Sequence, residues 1–131
     1  MEAATHRAID ARLCGEPVEL APGRARVRLQ TLPEMRVDEH GLLHGGFLFG
    51  LADYAAMLAV NTPTVVLGAA DIRFHHPVRA GEVLEARAQV EQETGRKRFV
   101  RVEVERGGEV VCSGLFTCFA PERHVLERGG S

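Results

Sequence analysis

The sequence predicts an α+β fold in which an antiparallel sheet of five to six strands wraps around one long central helix. Residues 45–60 carry a single carboxylate, on Asp53, among Phe, Leu, Ala, Val and Met, and they lack the polar stripe of a surface helix. Several of the other segments alternate apolar and polar residues, which is typical of strands with one covered face. The central helix is the only large apolar element available to cover that face.

The remaining elements follow from residue type and spacing. In chain order, the pattern predicts an amphipathic helix over 3–13, a weak strand over 17–20, a strand over 24–31, a loop over 32–43, the central helix ending near Asn61, and strands over 64–76, 82–92, 97–106 and 109–119. Leu, Ala and Met dominate the central helix and no Pro interrupts it, which favours a helical conformation. At about 16 residues it is short for a membrane span, which needs roughly 20.

The composition indicates a single domain over residues 1–131, with a polar tail at 121–131 that we expect to be frayed. The chain has 16 basic and 18 acidic residues and no basic tract, so we expect no nucleic-acid partner, and we expect no membrane partner either. Its three cysteines lack metal-ligand spacing and its N-terminus lacks an apolar signal-peptide core. We therefore expect a cytoplasmic protein with no metal and no other cofactor.

Two features of the central helix are energetically costly unless they serve a function. Gly45 and Gly46 each give up about 1 kcal/mol of helix propensity relative to Ala. They leave backbone N–H groups uncovered at the positive end of the helix, where an anion is favoured. Asp53 is a carboxylate in an apolar segment, which costs several kcal/mol unless it is paired, hydrogen-bonded or protonated. We expect Asp53 to be partly buried, with a raised pKa.

The residues around these two features resemble those of the hotdog-fold acyl-CoA thioesterases. The stretch HGGFLFGLAD follows the pattern H-G-G-x-x-F-x-x-A-D, and the strand ending F-x-x-P-x-x-x-G at 74–81 supports it. The resemblance covers roughly residues 24–119 and is greatest to the phenylacetate-degradation (PaaI-type) branch of the 4-hydroxybenzoyl-CoA thioesterase superfamily. It implies a homodimer joined sheet edge to sheet edge, with a dimer of dimers left open, that hydrolyses acyl-CoA at the subunit interface.

The resemblance also assigns roles to individual residues of the central helix. It implies that Asp53 acts as general base or nucleophile. It implies that the N–H group of Gly45 polarises the thioester carbonyl, with His44 beside it as a further catalytic candidate. A helix-capping role is the alternative for both His44 and Asp53. Gly46, the next residue of the uncovered helix start, is a candidate substrate contact.

Two positions depart from the pattern of this branch. Asp38 stands six residues before His44, where relatives often carry an Asn that contacts the thioester or water. Leu67 or Gly68 stands where a hydroxyl residue is common early in the strand after the helix. We expect Asp38 and Gly68 to contact substrate, although Asp38 also suits a purely structural role in its loop.

The spacing of Gly45 and Asp53 constrains how they can cooperate. Thioester hydrolysis needs a donor aimed at the carbonyl oxygen and a base for water, or a carboxylate that attacks directly. Both groups must lie about 3 Å from one reacting centre. Eight residues of helix separate them by about 12 Å, so one subunit cannot supply both. An antiparallel second copy of the helix can, which predicts at least a dimer with two shared sites.

Two other functions also suit this fold. One is a non-catalytic sensor of acyl-CoA or malonyl-CoA, as in the effector domains of fatty-acid-synthesis repressors, although those domains lack the H-G-G…D set. The other is a dehydratase or hydratase that pairs His44 with Asp53 across a dimer. The two glycines directly after His44 favour carbonyl polarisation and hence the thioesterase.

Three further groups of polar residues have less specific interpretations. His40 and His44 are four residues apart, but Gly41 and the loop context make a zinc site unconvincing. His75 and His76 are consecutive on a predicted strand and point to opposite faces, so they cannot chelate together. Arg96, Lys97 and Arg98 could meet the phosphates of coenzyme A or simply form a solvated hairpin tip.

Overall fold

A computed structural model describes residues 1–127 and shows one six-stranded antiparallel sheet with one long helix. The elements are α1 (Ala11–Cys14), β1 (Glu16–Ala21), β2 (Arg24–Gln30), α2 (Gly45–Val60), β3 (Val66–Phe74), β4 (Val83–Thr94), β5 (Lys97–Arg106) and β6 (Glu109–Phe119), with 3₁₀ turns at Pro33–Met35 and Val125–Glu127. The predicted α+β class and the central helix are confirmed.

The strand order in the sheet is β1-β2-β4-β5-β6-β3. The strands β4, β5 and β6 form a meander, and two consecutive glycines at positive φ, Gly107 and Gly108, turn the chain between the last two. β3 follows the helix but does not pair with β4, the next strand in the chain. It pairs antiparallel with β6 at the far side of the sheet. The end of β3 lies beside the start of the helix, where the ring of Phe74 flanks Gly45.

The helix α2 packs mainly on β2, β4 and β5 and only lightly on β3. The fully buried face is built from alternate residues of the covered strands, such as Val27, Leu84 and Val102, and from Leu51 and Leu58 of the helix. The half-buried strands that were predicted from the alternation of apolar and polar residues are therefore confirmed. Because the helix lies off-centre, it leaves the same face of β3 poorly covered.

The two edges of the sheet differ in chemistry. β1 contains Pro17 and an irregularity in its pairing with β2, both of which discourage further strand addition. β3 is a nine-residue edge strand without Pro. On the helix side it carries Ala70, Ile72 and Phe74, which lie opposite Phe116, Gly114 and Cys112 of β6. Phe74 is 52% exposed, so this edge presents both unpaired backbone groups and apolar surface.

The predicted helix over residues 3–13 is wrong, because only Ala11–Cys14 are α-helical. The first ten residues instead have an irregular conformation, with a positive φ at His6, whose ring lies 6.4 Å from that of Tyr54 in α2. Asn61 at the end of α2 holds them, since its side-chain Oδ1 accepts from the Ala4 N–H (2.7 Å) and its Nδ2 donates to the Glu2 carbonyl (3.0 Å). The apolar residues that suggested a helix, Ile9 and Leu13, do pack on the core.

The chain end is described up to Glu127. Thr64 Oγ1 donates to the Pro121 carbonyl and Glu122 pairs with Arg96 at 2.7 Å, so the start of the expected frayed tail is attached to the sheet. Residues 128–131 of that expected tail lie outside the described residues. Within residues 1–127, no helix has both the length and the apolar character needed to cross a membrane.

Candidate active site

The start of α2 is held in place by three backbone contacts. The N–H of His44 donates to the carbonyl of Met35 (3.0 Å), and Met35 is itself buried. The N–H of Leu43 donates to the carbonyl of Val78 (2.8 Å). An isolated bridge pairs Leu42 with Arg79. The loop before the helix and the segment after β3 thus fix the position of Gly45.

The two glycines leave the helix start uncovered. His44 is the N-cap and makes no side-chain cap, and the first N–H groups of an α-helix have no partner within the helix. A Cβ on Gly45 would lie 3.7 Å from the Phe74 ring, so that ring flanks the Gly45 backbone. A Cβ on Gly46 would lie 2.9 Å from Nε2 of His44, which places the exposed imidazole directly beside this turn.

Asp53 lies in the middle of α2, and one of its carboxylate oxygens, Oδ1, is buried without a hydrogen-bond partner among the described residues. Burial raises the pKa of Asp53 from its ordinary value of 3.8 to about 6. The side chain is half-buried overall, as the sequence predicted. An acid group with this pKa is a suitable general base near neutral pH.

The two halves of the candidate site do not meet within one protomer. α2 is an unbroken helix from Gly45 to Val60, so the eight-residue spacing corresponds to about 12 Å along its axis. The Gly45 N–H group and the Asp53 carboxylate of the same chain therefore cannot both contact one thioester. The chemistry predicted for these residues requires a second copy.

Asp38 already has hydrogen-bond partners in its own loop. Its Oδ1 accepts from the N–H groups of His40 (3.0 Å) and Leu42 (3.1 Å), and its carbonyl accepts from Gly41. Val37 and Leu42 close the same loop through a backbone bond of 2.8 Å. The geometry favours the structural role for Asp38, and its contact with substrate stays a prediction.

Gly68 lies in a β-bulge where β3 and β6 lose register. A Cβ on Gly68 would lie 2.2 Å from Cε2 of the Phe119 ring, a distance that no real contact has. The glycine therefore makes room for Phe119, whose ring also lies 5.6 Å from the Lys97 ammonium. Sequence reasoning singled out Gly68 for substrate contact and missed this packing.

We expect Gly68→Ala to lower the free energy of unfolding by about 1–3 kcal/mol, because the added methyl overlaps the Phe119 ring. Adding Phe119→Leu should return most of that loss, so the pair should be strongly non-additive in a double-mutant cycle. Chemical denaturation of the four proteins measures this. Additive effects of the two substitutions would contradict the proposed steric contact.

The basic cluster on the hairpin between β4 and β5 is largely occupied by neighbours. Arg96 pairs with Glu122 at 2.7 Å and Arg98 pairs with Glu93 at 3.1 Å. These contacts favour the hairpin-tip interpretation over phosphate binding. His75 and His76 lie just beyond the end of β3, and both N–H groups donate to the Val111 carbonyl. His75 Nε2 lies 2.7 Å from Ser113 Oγ, and His76 lies 3.7 Å from Glu109.

A surface depression of about 220 Å³ opens at Gly45. It is lined by apolar residues, among them Leu42, Leu48 and Phe74, and by His75 and His76. A larger groove, of about 480 Å³, lies along α1 and β1 and contains neither Gly45 nor Asp53, so size alone does not locate the chemistry.

Phe74 and Gly50 lie beside the candidate residues Gly45 and Asp53, and sequence reasoning assigned neither of them to the site. Phe74 reaches Gly45 only because β3 returns along β6, and its motif position gave the only signal. Gly50 lies one turn before Asp53, with open space where a Cβ would be. The helix surface beside the carboxylate is therefore bare.

The architecture and the comparisons together define the class of the protein. One antiparallel sheet wrapped around one long helix is the hotdog fold. The profile of the Thioesterase superfamily matches residues 40–113, which include the whole of α2 and most of the sheet. The chain therefore belongs to the thioesterase superfamily, and its structural relatives include PaaI-type proteins.

Three sequence relatives carry different names. A methylthioribose-1-phosphate isomerase of Aquifex aeolicus is 45% identical over 91% of this chain but only 26% of its own length. The transcription factor FapR of Caldanaerobacter subterraneus is 26% identical over 92% of this chain and 60% of its own length. A putative esterase of Deinococcus radiodurans is 34% identical over 76% of this chain and 68% of its own. The chain thus spans about a quarter of the first relative and three-fifths of the second.

Two solved structures illustrate the structural likeness. An uncharacterized protein of Pyrococcus horikoshii is 52% identical, with a TM-score of 0.95 over 96% of this chain and 97% of that one. A mutant of the phenylacetic acid degradation protein PaaI from Thermus thermophilus is 35% identical, with a TM-score of 0.76 over 83% of this chain and 95% of that one. In both comparisons the match extends over nearly the whole length of the other protein.

Proposed function

We propose that the protein is an acyl-CoA thioesterase whose sites are shared between two protomers. One observation carries the proposal: Asp53 has a buried, unpartnered oxygen in the same helix that begins with the uncovered Gly45 and Gly46. A stranded carboxylate and a bare helix start both cost stability in the protomer. Facing each other across a dimer, they supply the base and the donor that thioester hydrolysis needs.

The proposed reaction uses Asp53 and Gly45 in two steps, which are attack of water on the carbonyl carbon and breakdown of the tetrahedral intermediate. Asp53 takes a proton from water as the water oxygen attacks the thioester carbonyl carbon. The carbonyl oxygen becomes negative and accepts from the partner's Gly45 N–H at the positive end of that helix. The carbon–sulfur bond then breaks, and the leaving thiolate takes up the proton that Asp53 removed from water. The products are the free acid and coenzyme A. Direct attack by the Asp53 carboxylate is the alternative route to the same products.

The edge strand β3 supports the required dimer. It offers unpaired backbone groups and the partly exposed Ile72 and Phe74, whereas β1 at the other edge is blocked by Pro17. Pairing of two β3 strands about a two-fold axis would continue the sheet and cover the face of β3 that α2 leaves open. A dimer of dimers is compatible with this arrangement. The cytoplasm is the proposed location, since Cys14, Cys112 and Cys118 are all free thiols.

A non-catalytic acyl-CoA sensor is the second candidate function. The observation that favours it is the match to FapR transcription factors over most of this chain. A sensor needs the acyl-CoA pocket but no base. The stranded Asp53 oxygen therefore favours the enzyme, because a binding domain has no use for an unpaired buried carboxylate.

Hydrolysis of a panel of acyl-CoA esters tests the proposal directly. We expect thiol release with at least one aryl, short-chain or medium-chain acyl-CoA, at a rate proportional to protein concentration and absent without protein. Tight binding of the same esters without thiol release would support the sensor. Loss of enoyl absorbance without thiol release would support a hydratase.

A further inference from the structure

Residues 1–6, here called the arm, are attached to the rest of the protein through one side chain. Asn61 Oδ1 accepts from the Ala4 N–H at 2.7 Å, and Asn61 Nδ2 donates to the Glu2 carbonyl at 3.0 Å. Among the described residues, these are the only hydrogen bonds that join residues 1–5 to the chain beyond the arm. The closed position of the arm therefore depends on Asn61.

The side chain of Asn61 is not needed to end the helix. Asn61 is the C-cap of α2 and has left-handed backbone angles, with a φ of 51° and a ψ of 45°. Its backbone N–H donates to the Met57 carbonyl at 2.8 Å, and glycine is the residue that most readily adopts this conformation. A glycine at this position would keep the cap and lose only the two bonds to the arm. The role of the Asn61 side chain can therefore be tested separately from the helix.

The arm closes over Tyr54, which lies two helical turns before Asn61 and so on the same side of α2. The ring of His6 lies 6.4 Å from the Tyr54 ring, and Tyr54 is only 6% exposed. Thr5 is buried as well, with its Oγ1 atom 2.8 Å from Nδ1 of His6. His6 has a φ of 54°, a conformation that residues other than glycine adopt rarely and keep only where their surroundings hold them. The arm is therefore packed in one defined position.

Asp53 is the residue next to Tyr54, and uncharged groups lie near its carboxylate. Burial and the charges of Asp10 and Asp53 raise the pKa of Cys14, so the Cys14 thiol, which follows the arm in α1, lies within reach of the Asp53 charge. Burial and the charge of Asp53 also raise the pKa of Cys118 in β6 to about 12. Both thiols are therefore uncharged at neutral pH, and burial is the cause of the raised pKa of Asp53. Admitting water to this side of the helix should lower that pKa.

We propose that Asn61 is a positioning residue, which holds the arm over Tyr54 so that the closed arm keeps water from the side of α2 that carries Asp53. Release of the arm would let water solvate the ionised carboxylate and make Asp53 a weaker base. The catalytic meaning of this shielding rests on the proposed function, in which Asp53 removes a proton from water. The shielding itself can be measured without any substrate, so the two proposals can fail separately.

The first experiment asks whether Asn61 holds the arm closed. Tyr54 is the only tyrosine of the chain, which has no tryptophan, so intrinsic tyrosine fluorescence reports on Tyr54 alone. We expect Asn61→Gly to raise the quenching of this fluorescence by acrylamide about twofold, because the ring becomes accessible to solvent. Thr64→Val is the matched control. It deletes the bond from Thr64 Oγ1 to the Pro121 carbonyl, which holds a different segment, and it should leave the quenching unchanged.

The second experiment asks whether the closed arm shields Asp53. Titration of the carboxyl carbon resonance by NMR gives the pKa of Asp53 directly, without substrate. We expect Asn61→Gly to lower this pKa by about 0.5–1 pH unit, and the midpoint of the pH profile of kcat/KM should move down by the same amount. His6→Gly removes the ring over Tyr54 and accommodates the positive φ, so this second variant should also lower the pKa of Asp53. Thr64→Val should change neither quantity.

Two outcomes would overturn the inference. If the quenching of Tyr54 is unchanged in both Asn61→Gly and His6→Gly, the arm does not cover Tyr54 in solution. If the quenching rises while the pKa of Asp53 stays that of the parent, the arm covers Tyr54 but does not shield the carboxylate. If the parent releases no thiol from any acyl-CoA and the pKa of Asp53 still falls in both variants, the shielding is supported and only the proposed function fails.

Discussion

Replacing Asp53 with Asn is expected to lower kcat/KM for acyl-CoA by about 100- to 10,000-fold, because the amide keeps the shape of the side chain but cannot accept a proton. The same loss is expected if Asp53 attacks the thioester directly. Thiol release under subsaturating substrate measures the effect. Glu103→Gln removes one carboxylate from the outer face of the sheet and is the matched control, with unchanged activity expected.

The pH dependence of the parent protein should report the same carboxylate. Burial raises the pKa of Asp53 to about 6 in the protomer, and the positive helix start of a partner would favour the ionised form and lower that value. Because the base must be ionised, we expect kcat/KM to rise with pH to a plateau, with its midpoint at or below about 6. A rate that is flat from pH 4 to 8, with the protein still folded, would exclude Asp53 as the base.

The same substitution should stabilise the protein while it inactivates it. A raised pKa means that the ionised carboxylate is less favourable in the folded protein than in the unfolded chain. The penalty is fully present above pH about 6 and disappears below about pH 4. After a discount for partial exposure and for the positive helix start of a partner, we expect Asp53→Asn to raise the free energy of unfolding by up to about 1 kcal/mol at pH 7.5 and by almost nothing at pH 3. Equal unfolding midpoints at pH 7.5, at equal protomer concentration, would contradict the desolvation penalty.

The central helix was predictable because its signal is local. Composition alone placed it at residues 45–60, and the structure begins and ends it at Gly45 and Val60. The helix predicted over 3–13 failed for the opposite reason. The spacing of apolar residues indicates which side chains are buried, and Ile9 and Leu13 are indeed packed on the core. The backbone near the N-terminus is instead held outside a helix by hydrogen bonds to the side chain of Asn61.

The candidate site divides in the same way. Gly45 and Asp53 could be identified from sequence because a glycine and a carboxylate are both unexpected in one otherwise apolar helix. The contact of Phe74 with Gly45 could not, because Phe74 reaches the helix start only through the pairing of β3 with β6 at the far side of the sheet. Long-range strand pairing is not encoded in any short segment. The loop role allowed for Asp38 agrees with its hydrogen bonds, whereas the packing of the Phe119 ring against the bulge at Gly68 was not foreseen, and the substrate contacts of both residues stay predictions.

Gly45→Pro is expected to lower kcat by about 100-fold or more, because it deletes the proposed oxyanion donor and little else. Proline is well tolerated at the first position of a helix. His44 already has the φ of −63° and ψ of 129° that a residue before proline prefers. A Cβ at this position would lie 3.7 Å from the Phe74 ring, which is an ordinary contact distance. Gly45→Ala adds a Cβ but keeps the N–H group, and this control should remain active.

Mixing the two inactive proteins then tests whether the site is shared. In a hybrid of Asp53→Asn and Gly45→Pro protomers, one of the two sites receives the intact Asp53 from one chain and the intact Gly45 from the other. After random exchange, half of the dimers are hybrids, and one of the two sites in each hybrid is intact. An equimolar mixture should therefore recover about a quarter of the parent activity. Subunit exchange by mild denaturant, followed by a thiol-release assay, measures this. A mixture that stays inactive although mass spectrometry shows hybrids would place both groups in one chain, and the 12 Å spacing along α2 would then rule out their joint action on one thioester.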